Sequence, residues 1–137
     1  MAAAEYSGTP LIKKLGIRSE MKICLVNAPE NYQQLLATDI TAQLIVANKV
    51  PDLVHLFATN KTVFEKSMYP ILQWAKKNTE IIIWVSWYKK SSGMATDLNE
   101  DLIRHFALQH DLVDVKVCAV SECWSGLKLV VPVRKRK

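Results

Sequence analysis

Glycine is scarce in this chain. Only four occur in 137 residues, Gly8, Gly16, Gly93 and Gly126. No pair of them can build a G-x-G-x-x-G turn, whose glycines let backbone N–H groups close on a pyrophosphate. Long apolar runs are also missing. The longest, Ile81–Val85, is no longer than a strand, whereas a membrane helix needs about 20 apolar residues. The first residues, Met1–Tyr6, carry neither a basic start nor an apolar segment, so no secretory signal is expected and the expected location is cytoplasmic. Cysteine is sparse and odd in number, three residues in all. Cys24, Cys118 and Cys123 match no zinc spacing, and His55, His105 and His110 form no spaced cluster with them, so no metal site is expected. Outside its last four residues the chain also lacks a marked excess of either charge. Without the tail Arg134–Lys137, the net charge of +5 falls to +1. A solvated terminal run is the ordinary reading of such a tail, and nucleic acid is not an expected partner for the rest of the chain.

What is present is apolar material for one core, since half the residues are hydrophobic. Thr9-Pro10 followed by Leu11–Leu15 and Gly16 predicts a short helix with Thr9 as cap and Gly16 as left-handed exit. Lys22–Val26 predicts a strand buried on both faces. Asn27-Ala28-Pro29-Glu30 then reads as a capped helix entry running to about Ala37. Ala42–Ala47 predicts a second strand and Leu53–Ala58 a third. Thr62–Glu65 has the spacing of a capping box and opens an amphipathic helix that Pro70 should kink or divide. Ile81–Trp87 predicts the central strand. A helix opened by Asp97-x-x-Glu100 follows, and then Leu112–Val120 and Leu127–Val133 as an antiparallel hairpin. Trp124, in the link between those two strands, either folds back over the core or is exposed for a partner. Lys116 and Lys128 read as guards on an exposed sheet edge.

Strands alternating with helices predict a three-layer α/β domain over residues 1–133, with a mostly parallel sheet, a C-terminal antiparallel hairpin, and the basic tail 134–137. The sequence also resembles a family of small bacterial domains of unknown function with a methyltransferase-like Rossmann fold. The resemblance rests on Thr9-Pro10-Leu11 with Lys13–Ile17, on Leu25–Glu30, on Asp52–Phe57, on Trp84–Trp87 with Lys89–Gly93 and Ala95–Leu98, and on Leu112–Val120 with Trp124–Leu129. It implies that fold and no particular activity.

The activity usual for such a fold fits poorly. Cofactor binding in these sheets uses a glycine-rich turn after the first strand and a carboxylate ending the second. Here those positions hold Asn27–Asn31 and Ala47-Asn48, so catalysis is not expected and no cofactor is assigned.

The stretch with ligand chemistry is Lys89-Lys90-Ser91-Ser92-Gly93. It joins the carboxyl end of an inner strand to a helix start, and offers two ammonium groups, hydroxyls and a flexible backbone. Trp87 or Tyr88 would stack on a ligand at that rim. Thr96 and Asn27 complete the expected site, and an anionic small molecule is the expected partner. The expected function is a non-catalytic binding module for an anionic or phosphate-bearing ligand. The alternative is a protein-interaction domain derived from the S-adenosylmethionine-dependent methyltransferase-like fold, or a divergent member of it. His55, alternating with Leu53 and Phe57, reads as a hydrogen-bonded core histidine.

Overall fold

The computed structural model describes residues 9–46 and 49–136. In chain order the elements are α1 (Leu11–Leu15), β1 (Ile23–Val26), α2 (Tyr32–Leu36), β2 (Leu53–Phe57), α3 (Lys61–Lys77), β3 (Ile82–Tyr88), α4 (Glu100–Gln109), β4 (Val113–Ala119) and β5 (Trp124–Val130). The strands form one sheet in the order β1-β2-β3-β5-β4. β1, β2 and β3 pair in parallel, while β5 enters antiparallel between β3 and β4. Every residue of β2 is buried, as are five of the seven in β3. These strands have neighbours on both edges and helices on both faces, which explains their nearly unbroken apolar sequences. β4 lies at an edge and exposes three successive residues.

Among the described residues of the expected second strand, 42–46, no strand forms. Within its described part only Leu44 bridges Ile23, in the parallel sense, with Ile45 N–H donating to Ile23 O at 2.9 Å. Thr41–Gln43 is instead a 3-10 turn. Asp39 Oδ1 accepts from Thr41 N–H and Oγ1–H at 2.9 and 2.6 Å, and Gln43 Nε2 donates to the carbonyls of Arg18 and Met21. Local side-chain bonds of this kind compete with a ladder. Ala47 and Asn48 lie outside the described residues. The single bridge still carries topological information. Lys22 O accepts from Leu53 N–H on the β2 side, and successive carbonyls of an extended chain point to opposite edges. Leu44 therefore runs along the far edge of β1. The chain leaves β1 in one direction and returns to β2 in the other, which puts the switch point of the sheet between these two strands.

One face of β1–β3 is covered by α1 and α2, through Leu11, Leu15, Tyr32 and Leu36. The other face is covered by α3 and α4, through Phe64, Met68, Ile71 and Ile103. Trp84, fully buried in β3, donates from Nε1 to Leu15 O at 2.9 Å and so ties the central strand to α1. Gly126 on β5 permits this arrangement. A Cβ there would stand 3.0 Å from Val120 Cγ2 and 3.3 Å from Trp84 Cε3.

Helix starts differ from expectation by a few residues. Pro10, not Thr9, takes the cap position of α1, while Gly16 makes the left-handed exit at φ 76°. Asn27 does not cap a helix. It takes a left-handed conformation, φ 58°, which turns the chain sharply off β1, and α2 begins only after Asn31. The expected Asn27–Glu30 box is therefore not made. At α3 the cap is Asn60, whose Oδ1 accepts from Val63 N–H at 2.9 Å, in place of the Thr62–Glu65 box. Pro70 does not divide α3, which runs unbroken through it. Both Pro70 and Lys66, whose carbonyl loses its donor, are exposed to solvent. At α4 the cap is Asn99, with Oδ1 accepting from Leu102 N–H at 2.9 Å, and the Asp97–Glu100 box is absent.

The hairpin turns earlier than predicted. Val120 N–H donates to Trp124 O at 2.9 Å, so Trp124, Ser125 and Gly126 belong to β5. Lys128 is consequently an inner-strand residue opposite Lys116, and only Lys116 guards the edge. The described part of the tail is held in place: Lys135 Nζ pairs with Asp111 Oδ1 at 3.0 Å, and Arg136 Nε donates to Val131 O at 3.0 Å. Among the described residues, no helix is long and apolar enough to cross a membrane.

Candidate functional site

β3 stands inside the sheet and delivers Lys89–Gly93 to its carboxyl end. Lys90–Ser92 form one 3-10 turn, closed by Gly93 at φ 78°, a conformation that suits glycine. Ser92 Oγ donates to Lys89 O at 2.7 Å and accepts from Met94 N–H at 3.1 Å. Thr96 Oγ1 donates to Thr59 O at 2.8 Å and accepts from Leu98 N–H at 3.1 Å. Both hydroxyl protons are thus committed within the protein. Asp97 Oδ1 accepts from Lys61 N–H at 2.8 Å, which seats its carboxylate at the positive end of α3. The loop is fastened on its other side too, because Lys89 N–H donates to Cys123 O at 2.8 Å. Lys90 and Ser91 are exposed and Lys89 is half-buried.

Asn27 ends β1, two strands from the loop, or roughly 10 Å across the sheet. The fold thus brings Lys89–Gly93 and Thr96 into one neighbourhood and leaves Asn27 at the switch point. Trp87 does not reach the rim. It is buried in the core on the α3–α4 side. Tyr88 stacks on Trp124, with centroids 4.5 Å apart and planes 27° apart, and Trp124 also meets Phe57 edge-on at 5.0 Å. Trp124 therefore folds back over the carboxyl ends of β2 and β3, which decides the question left open by its sequence position.

Beneath this aromatic cluster runs a polar line. Tyr32 Oη and His55 Nδ1 are 2.8 Å apart, and His55 Nε2 and Ser86 Oγ are also 2.8 Å apart. His55 is completely buried as predicted, and desolvation pushes its pKa down to about 3. Desolvation likewise drives the Tyr32 hydroxyl well above its ordinary value. The imidazole is neutral and both its nitrogens are satisfied, so this is a structural element of the core.

Beside the rim, a cavity of about 490 Å³ opens between α1, α2 and the hairpin tip, with Leu11, Lys14, Asn31, Gln34, Leu35 and Trp124 among its walls. Sequence reading missed it. Its walls come from segments more than 80 residues apart (Leu35 and Trp124, for example), and no local pattern links Lys14 to Gln34 or to the hairpin.

Several solved structures share this architecture. A protein in the NADB-Rossmann superfamily from Streptococcus agalactiae superposes with a TM-score of 0.52, 7% identity, and coverage of 90% of this chain and 68% of that one. An uncharacterized protein from Listeria monocytogenes serotype 4b gives 0.54, 9% identity, and coverage of 94% and 70%. The tRNA methyltransferase TrmK of B. subtilis gives 0.52, 7% identity, and coverage of 92% and 67%. No family model matches the chain and no curated protein matches it in sequence. At such identities the likeness is one of fold: a Rossmann-like, methyltransferase-like α/β domain with a five-stranded, partly parallel sheet.

Proposed function

We propose that this Rossmann-like domain is a non-catalytic binding module for an anionic, phosphate-bearing small ligand held at the Lys89–Gly93 rim. The observation that carries the reading is the position of the loop at the carboxyl end of β3, on the edge of the sheet where open α/β folds hold ligands and one strand from the switch point between β1 and β2. In this reading Lys89 and Lys90 supply charge, Ser91 a hydroxyl, and Gly93 the left-handed turn that closes the loop, with the Ser92, Gly93 and Met94 N–H groups bonded inside it. Ser92 and Thr96 keep the loop in shape through their internal hydrogen bonds. Asn27, two strands away at the switch point, is not needed to hold the phosphate. Phosphate and pyrophosphate should raise the melting temperature of the wild-type protein by mass action. The Lys89→Ala/Lys90→Ala double variant should lose that rise, and an unchanged rise would reject the site.

A second reading is favoured by the likeness to TrmK: a divergent methyltransferase-like domain that binds S-adenosylmethionine without a glycine-rich turn. The left-handed Asn27 supports it, because it makes the sharp turn after β1 at a place where such folds use glycine. Titration calorimetry with S-adenosylmethionine separates the two readings. Saturable heat supports the second, and none at high protein concentration removes it.

A further inference from the structure

The cavity between α1, α2 and the hairpin tip is too large for an isolated phosphate and falls within the usual range of small-ligand pockets, about 300–1,000 Å³. Leu11 and Leu35 make it apolar, and Trp124 adds a rigid aromatic wall because Tyr88 and Phe57 hold the indole in place. Asn31 and Gln34 bring exposed amides, each able to donate and to accept, to its mouth. Lys14 provides the cationic end, its Nζ directed along the hairpin wall, 3.4 Å from Ala119 O. The cavity adjoins the rim loop through the bond from Lys89 N–H to Cys123 O, and Cys123 itself lines the cavity. Glu122 is the opposing charge, exposed at the hairpin turn.

From this geometry we infer that the ligand has two parts: a flat, hydrogen-bonding ring system seated in the cavity, and a phosphate on the side where Lys14 lines the cavity and the rim loop adjoins it through Cys123. A nucleoside monophosphate has that chemistry. The inference rests on the rim reading for the phosphate and adds the cavity for the ring. Trp124 and Leu35 contribute apolar contact, while Asn31 and Gln34 select rings with paired donors and acceptors at their edge.

The test uses the full chain, with inorganic phosphate, adenosine and adenosine monophosphate as probes, read by thermal shift and tryptophan fluorescence. The monophosphate should bind at least tenfold more tightly than either fragment and should perturb fluorescence in the wild type but not in Trp124→Phe. Gln34→Trp, at an exposed helical position, should fill the cavity and reduce monophosphate affinity at least tenfold, leaving the response to phosphate intact. Asn31→Trp, also exposed, provides a second block should the first variant melt early. Glu122→Gln should tighten the monophosphate a few-fold. A monophosphate no tighter than phosphate, or full affinity in both blocking variants, overturns the cavity. Full affinity in the Lys89→Ala/Lys90→Ala variant together with loss in Gln34→Trp overturns the rim reading and the placement of the phosphate there, while the ring stays in the cavity.

Discussion

Single side chains in this protein are most constrained where a polar group lies in an apolar layer. His55 is the clearest case, held between Tyr32 and Ser86 with no solvent contact. Removing the Ser86 hydroxyl leaves one imidazole nitrogen without a partner, so Ser86→Ala should cost about 1–3 kcal/mol in urea denaturation. The depressed pKa also gives stability a defined pH dependence. Between its ordinary value of 6.5 and about 3, His55 binds a proton when unfolded but not when folded. Stability should therefore hold steady above about pH 6.5 and decline as pH falls, by up to about 1.4 kcal/mol per pH unit. His55→Gln should flatten that slope, and denaturation midpoints at pH 7 and pH 5 are the check. The role of His55 was legible because its neighbours in the sequence alternate as a buried strand. Its partners were not, since Tyr32 and Ser86 are 23 and 31 residues away.

Among the elements, the C-terminal hairpin carries an unfavourable pairing. Lys116 and Lys128 stand directly opposite one another, and burial, followed by the charge of Lys116, lowers the Lys128 pKa. Like charges facing each other across strands are destabilising. Lys116→Glu should convert the pair to an attractive one and raise stability by about 0.2–1 kcal/mol, with the gain shrinking at high salt. The same hairpin depends on Gly126. Gly126→Ala would press a methyl group against Val120 and Trp84, and a cost of about 1–3 kcal/mol is expected from overpacking, measurable as a lowered melting temperature. Strand existence and helix existence were mostly readable, because apolar runs and 3.6-residue periodicity are local. The caps were not. Asn60 and Asn99 cap in place of the Thr62–Glu65 and Asp97–Glu100 boxes, and at α4 Asp97 is instead taken up by Lys61 N–H, at the start of α3.

For the whole molecule, the decisive contact is between its first helix and its central strand. Trp84 Nε1 donates to Leu15 O at the end of α1, so Trp84→Phe should orphan a buried carbonyl and loosen α1 without unfolding the sheet. Faster hydrogen exchange in residues 11–17, with β2 and β3 still protected, is the expected signature. The order of apolar segments and their turn chemistry determined the α/β alternation, the buried inner strands and the closing hairpin, since each follows from periodicity within a few residues. Tertiary structure alone decided that the described residues 42–46 yield only a bridge at Leu44, that β5 inserts inside β4, and that Trp124 closes over Phe57 and Tyr88. It also decided that Lys14, Gln34 and the hairpin tip enclose one cavity. Those outcomes depend on which distant surfaces fit together once the layers pack, and that information is shared among segments and contained in none of them.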